Sequence, residues 1–250
     1  MRKTQVSVAA ILCAAGSSSR MGGVKKEFLP LPENSFTVLG SAAHAFAVCS
    51  RIVSIVIVVP PGAEEEARSC LPEELCSGDF LDSRFLFTSG GDTRRASVHN
   101  ALLRLESCPP THVLIHDGAR PWIQPELIEK IIDAAVKYEA VIPALPLLET
   151  PKELIPQESG MDGENAAFIK RHLRRADLCV AQTPQGFLFG KLLAAHEKAA
   201  KREAAEPALR RTAYTDDAEV WGEFAGEVAV ISGDPANRKI TFPEDIWSRL

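Results

Sequence analysis

Val6-Ser7-Val8-Ala9-Ala10-Ile11-Leu12-Cys13 runs without a charge into Ala14-Ala15-Gly16-Ser17-Ser18-Ser19-Arg20-Met21-Gly22-Gly23, with Lys25 and Lys26 just beyond. An uncharged, apolar run of this length reads as a strand buried on both faces of a parallel sheet. The small residues and cations that follow read as a ligand loop at the strand's carboxyl end, where open α/β sheets bind their ligands. A secretory leader also opens on cations, here Arg2 and Lys3, before an apolar stretch. A turn followed by further charge is what a strand feeding a nucleotide loop requires, and the strand reading is adopted.

Outward from this run the same rhythm repeats. Residues 52–59 form a second continuous apolar stretch, and 85–87, 112–116 and 140–144 are further strand candidates. Between them, residues 37–49, 63–70, 93–105 and 125–138 read as helices. In the last, Leu127, Ile128, Ile131, Ile132 and Ala135 share one helical face, and Pro125 suits the first turn. Strand–helix alternation with short connections predicts one open, mostly parallel twisted sheet flanked by helices, with right-handed crossovers. The rhythm breaks over residues 145–180, which hold Pro146, Pro151, Pro156 and the basic run 170–175. So long a segment without a clear pattern predicts an excursion or arm rather than core. A helix at 189–201, a strand near 228–231 and a helix start at 243–245 complete the chain as one domain over 1–250.

The 250 residues carry a formal net charge of -5, which argues against a nucleic-acid-coating role but leaves room for one nucleotide held by a local cluster of cations. The six cysteines form no Cys-x-x-Cys pair and read as buried thiols of a reducing compartment, with neither a disulfide framework nor zinc. No stretch approaches the roughly 18 apolar residues of a membrane span, so the expected location is the cytoplasm.

In the loop after the first run, small residues let backbone N–H groups approach phosphate oxygens, and Arg20 and Lys26 supply cations. Taken by itself the stretch reads better as a flexible Gly/Ser loop with solvated cations. Asp92, just before helix 93–105, reads as its N-cap. Asp117 and Arg120 follow strand 112–116 and could pair across the turn. His116 reads as a packed strand residue, and none of the six histidines has a partner suited to catalysis or metal ligation.

Five motifs in order resemble the 2-C-methyl-D-erythritol 4-phosphate cytidylyltransferase family. They are Ala14-Ala15-Gly16…Arg20-Met21…Lys26…Phe28-Leu29-Pro30, Gly90-Gly91-Asp92-x-Arg94-x-x-Ser97-Val98, His116-Asp117-Gly118-Ala119-Arg120-Pro121, Gln182-Thr183-Pro184-Gln185-x-Phe187 and Asn237-x-Lys239-Ile240-Thr241-x-Pro243-Glu244-Asp245. The resemblance implies a Rossmann-like nucleotidyltransferase fold with a protruding dimerisation arm. It implies transfer of CMP from CTP to methylerythritol phosphate, with release of pyrophosphate, in the non-mevalonate isoprenoid pathway. By the same resemblance Arg20, Lys26 and Lys239 are catalytic cations on the phosphates. The Gly16 backbone joins Arg20 and Lys26 on the triphosphate, while Asp92 and Ser97 meet the cytosine base, alongside backbone of Ala14, Ala15 and Gly91. Asp117, Arg120 and Thr215 line the acceptor; Thr215 with Asp216 could equally be a helix-cap pair. Thr150 and Arg175 grip the acceptor phosphate from the partner subunit of an arm-exchanged homodimer. Glu149 stands where the family has Asp, and Arg174 is a substitute for Arg175, whose assignment rests on counting back from Thr183.

The implied chemistry is in-line attack of one anion on another, a problem of positioning and charge neutralisation. Mg²⁺ or another divalent cation is expected on phosphates and water, without a protein cage. A pentitol-phosphate (ribitol 5-phosphate) cytidylyltransferase is the near alternative, and a non-catalytic nucleotide-binding module the distant one.

Overall fold

The computed structural model describes residues 6–18, 21–33, 35–76, 83–155, 167–205 and 213–247. In chain order its strands are β1 (Val8–Cys13), β2 (Ile52–Val59), β3 (Phe85–Ser89), β4 (His112–Asp117), β5 (Ala140–Pro146), β6 (Lys152–Leu154), β7 (Ile169–His172), β8 (Cys179–Ala181), β9 (Gln185–Leu188) and β10 (Ala229–Ser232). Its α-helices are α1 (Val38–Val48), α2 (Glu64–Ser69), α3 (Arg94–Arg104), α4 (Pro125–Tyr138), α5 (Phe189–Ala205) and α6 (Asp217–Phe224).

The opening run takes the centre of the sheet, where its lack of charge is needed. β1 pairs in parallel with β2 on one side and β4 on the other, and the sheet order is β10-β5-β9-β4-β1-β2-β3. Because successive strand residues point to opposite faces, Val8, Ala10 and Leu12 enter the layer with α1 and α4. Ala9 and Ile11 enter the layer with α3 and α5. Two apolar layers thus clamp one sheet, the architecture expected of an α/β chain.

The mostly parallel sheet agrees with the sequence reading, with an addition near its centre. β9 lies between β5 and β4 and runs antiparallel to both. Its sequence, Gln-Gly-Phe-Leu, is short and has no β-branched residue, so pattern alone leaves it unassigned. Position explains it: Phe187 is fully buried, and a Cβ on Gly186 would come within 2.9 Å of Ile131 on α4. The helix therefore sits directly on the strand's backbone.

The excursion over 145–180 is more ordered than the sequence predicts. β5 continues to Pro146, and β8 returns antiparallel to it, with Pro146 opposite Cys179. Between them β6 and β7 form a separate two-stranded antiparallel ribbon. Leu148 is 79% and Phe168 65% exposed. The cysteines depart from expectation: all six are unpaired, but only Cys49 and Cys70 are buried, while Cys76, Cys108 and Cys179 are exposed.

Candidate active site

The parallel strands β1, β2, β3 and β4 end together, and a cavity of about 480 Å³ opens at those carboxyl ends. The loop after β1 forms one wall through Ala15, Gly16, Ser17 and Ser18. Lys25 ties this loop by donating from Nζ to the Gly16 carbonyl at 2.7 Å. The chain then turns through a short 3₁₀ segment, Lys26–Phe28, which brings a buried Lys26 and Glu27 to the cavity. Burial pushes the Glu27 carboxyl up, against the pull of Lys26 and Lys25. Arg20 lies outside the described residues.

The second wall is the turn into α3. Gly90 is required there, since a Cβ would meet the Ala15 Cβ at 2.5 Å. Ser97 braces the turn: its Oγ donates to the Thr93 carbonyl at 2.9 Å and accepts from the Gly91 N–H at 3.1 Å. The helix cap is Thr93, whose side chain accepts from the Ala96 N–H, and not Asp92 as the sequence reading had it. A helix beginning one residue later than expected leaves Asp92 exposed on the cavity wall, where it makes no hydrogen bond among the described residues.

The floor is Asp117, the last residue of β4, with Lys239 Nζ at 2.9 Å and Arg120 Nε at 3.5 Å. Burial disfavours the charged carboxylate, yet Lys239, Arg94 and Arg120 outweigh that and hold Asp117 well below the usual carboxylate range. The tail that delivers Lys239 is fixed on both sides. Gln182 donates to the Asp234 and Asn237 carbonyls, while the buried Asn237 donates to the Thr183 carbonyl at 2.6 Å. Beyond Lys239, Ile240 is fully buried and Asp245 accepts from the Thr241 and Phe242 N–H groups. Lys239 and Thr241 between these anchors face the cavity.

Two expected site residues serve the frame. Arg120 donates to the Asn237 carbonyl at 2.8 Å and stands behind Asp117. Ala14 is fully buried beneath the loop. His116 is also fully buried, between Thr183 Oγ1 and the Arg120 carbonyl, and burial lowers its pKa to about 4. It is therefore a neutral packing residue, as the sequence implies. Thr215 does not line the cavity: its hydroxyl donates to Glu219, and Asp216 caps α6. Thr150 and Arg175 are exposed near the ribbon and are not brought to the cavity of their own chain; Arg175 donates to the Leu148 carbonyl. Arg174 pairs with Asp177 at 3.7 Å.

The sequence reading assigned no role to Cys13, Arg94 or Thr241, all of which line the cavity. Burial pushes the Cys13 thiol up to about 12, so it is not a thiolate nucleophile.

A loop of small residues, two lysines and a carboxylate at the carboxyl edge of a mostly parallel sheet make the setting of an α/β nucleotidyltransferase. Within that class, a profile of the family described as IspD, 2-C-methyl-D-erythritol 4-phosphate cytidylyltransferase, matches residues 8–249. The chain belongs to this family. The enzyme of that name from Pelotomaculum thermopropionicum is 35% identical over 241 residues, covering 96% of this chain and 91% of that protein. A bifunctional IspD/IspF enzyme from Anaeromyxobacter is 36% identical, and this chain spans 55% of it. Among solved structures, the 4-diphosphocytidyl-2C-methyl-D-erythritol synthase from Anaerococcus prevotii superposes with a TM-score of 0.74 at 26% identity, covering 97% of this chain and 93% of that one. The 2-C-methyl-D-erythritol 4-phosphate cytidylyltransferase from Thermus thermophilus gives 0.68 at 27% identity, covering 95% and 94%.

Proposed function

We propose that this cavity carries out the family's reaction, transfer of CMP from CTP to 2-C-methyl-D-erythritol 4-phosphate, with the residues gathered there dividing the work. An oxygen of the acceptor phosphate attacks the α-phosphorus of CTP in line. The bond from that phosphorus to the bridging oxygen breaks, and pyrophosphate leaves with its electron pair. The attacking oxygen is already ionised near neutral pH, so no general base is required. The protein's task is to hold like charges together, for which preorganised cations are the means.

The observation that carries the reading is Lys239 Nζ held 2.9 Å from Asp117 inside a cavity that Lys26 and the Gly16 loop also line. We assign Lys26, with Arg20, to the triphosphate and Lys239 to the α- and acceptor phosphates. The Gly16 backbone is assigned to the triphosphate with Lys26 and Arg20, and Asp92 and Ser97, with backbone of Ala14, Ala15 and Gly91, to cytosine, whose amine needs an acceptor. Asp117 is assigned to the acceptor's hydroxyls, with Arg120 keeping that carboxylate in place.

Among the described residues no group of three His, Cys, Asp or Glu converges into a metal site, and Asp117 is engaged by cations. With Asp117 held by Lys239, we assign the divalent cation, Mg²⁺ in our reading, to the phosphates and its own waters. Such a cation would neutralise phosphate oxygens. Thr150 and Arg175 are assigned to the acceptor phosphate of the partner subunit, through an arm exchanged across a homodimer. We take residues 1–250 as one domain with this arm. Among the described residues no helix is long and apolar enough to cross a membrane, and we place the enzyme in the cytoplasm.

The test is pyrophosphate release with each of the four nucleoside triphosphates and with methylerythritol, ribitol or arabinitol phosphate as acceptor. We expect turnover with CTP and methylerythritol phosphate, abolished by excess chelator. Equal turnover with UTP or ATP, full activity in chelator, or preference for ribitol phosphate would overturn the corresponding assignment.

A further inference from the structure

Arg94 has no part in the reaction as assigned above, yet it lines the cavity. It is the first residue of α3, and its Nη1 donates to Asp217 Oδ2 at 2.7 Å. Asp217 is fully buried at the first turn of α6 and takes His196 Nε2 at 3.2 Å on its other oxygen. Gln185, on β9, accepts from the Asp217 backbone N–H, so three elements hold this carboxylate in one place. Arg94 Nη2 is buried and has no hydrogen-bond partner among the described residues, so one edge of the guanidinium is not committed to Asp217.

Resting on the assignment of Asp117 and Lys239 to the acceptor end, we propose that Arg94, clamped by Asp217, is a positioning residue. It is the standing counter-charge of Asp117 that lets Lys239 turn from that carboxylate to the phosphates. Lys239 is bonded to Asp117 at 2.9 Å. A lysine that must serve two phosphates has to share or leave that carboxylate, and a carboxylate stripped of its cation in a closed site is costly. Arg120 remains, at 3.5 Å and committed to the Asn237 carbonyl. Arg94 supplies the rest from a fixed position. Incoming phosphates cannot draw it away, because a buried carboxylate already holds it. The charged and titratable groups acting on this region are Lys239, Arg94 and Arg120 on the positive side, and Asp217 and Cys13 on the other. The direction agrees: despite burial, these cations, with Arg94 second only to Lys239, hold the Asp117 carboxyl low.

A double-mutant cycle tests this with acceptor-dependent pyrophosphate release as the readout. Arg94→Gln should lower kcat/KM for methylerythritol phosphate by about tenfold while KM for CTP stays unchanged, the scale of losing one nearby opposite charge. In an Asp117→Asn background the same substitution should cost less than about twofold, because its target has gone. Arg94→Lys should recover part of the loss. If Arg94→Gln fails to fold, the Arg94→Gln/Asp217→Asn pair, which leaves no buried unpaired charge, carries the same cycle. An equal fold-loss in both backgrounds, or a loss confined to KM for CTP, would overturn the inference. Absence of any release by the wild-type enzyme would instead overturn the reaction on which it rests.

Discussion

The cavity and the β6–β7 ribbon solve the problem of ordering a chain in opposite ways. Around the cavity, the anchors are buried on both sides: Phe187 and Asn237 have no exposure, and Asp117 sits at the end of a fully paired central strand. In the ribbon, every residue of β7 is exposed, and Glu153 meets Lys170 and Arg171 at the surface. Surface ion pairs contribute little, and a lone two-stranded ribbon is marginal in water. Leu148 and Phe168 on the same excursion are exposed as well. The cavity thus stands on buried core, while Thr150 and Arg175, which we propose for the acceptor phosphate, stand on the exposed excursion.

The sharpest way to break this contrast is stability. Phe187→Ala should cost about 3–5 kcal/mol of unfolding free energy, the range for deleting a buried aromatic ring. Phe168→Ser should change the stability of the isolated subunit by no more than about 0.5 kcal/mol, as at an ordinary exposed site. Urea unfolding at low protein concentration measures both, and a comparable cost for the two would show that the ribbon belongs to the core.

Next in size is a pH effect confined to the cavity floor. The His116 pKa is about 4 in the fold, because burial penalises the charged ring, against about 6.5 in the unfolded chain. The unfolded chain therefore binds the extra proton first as pH falls. Stability should be fully present above about pH 6.5 and decline towards pH 4, by up to about 3 kcal/mol from this residue. His116→Gln should flatten that slope in urea titrations between pH 7 and 4.5; an unchanged slope refutes the assignment.

Lys26→Ala and Lys239→Ala should each lower kcat by about 100-fold or more, as for loss of a preorganised charge-stabilising group. A variant with near-native kcat and a raised KM for CTP would show uniform binding instead. The smallest effect probes the ribbon directly. Arg175→Ala and Lys26→Ala should each be nearly inactive alone. Refolded together in equal amounts, they should recover about a quarter of wild-type activity, since half the random dimers carry one intact site of two. A mixture as inactive as its parents, after demonstrated subunit exchange, would place Arg175 in its own chain's site.

Much of this molecule was legible in one sequence for a simple reason: burial imposes composition. β1 and β2 must lack charge because both faces are covered, and α4 must show one apolar stripe because one face is. Turns that bring backbone to phosphate must be small. Hence the sheet, the α4 face and the loop with Lys26 could be read directly, and the motif string fixed the family. Three things could not. β9 is too short for periodicity and is defined by what lies on either side of it. The α3 cap fell to Thr93 rather than Asp92, a choice between adjacent residues with equal local claims. Arg94 looks like one of two adjacent arginines, Arg94 and Arg95, at a helix start; their fates separate in the fold, to Asp217 and to Glu203 at 2.8 Å. Sequence determines which segments are buried, because transfer from water acts on each residue where it stands. Which charges meet across 123 residues of chain, as Arg94 and Asp217 do, is decided by packing, since local patterns carry no information about a partner that distant.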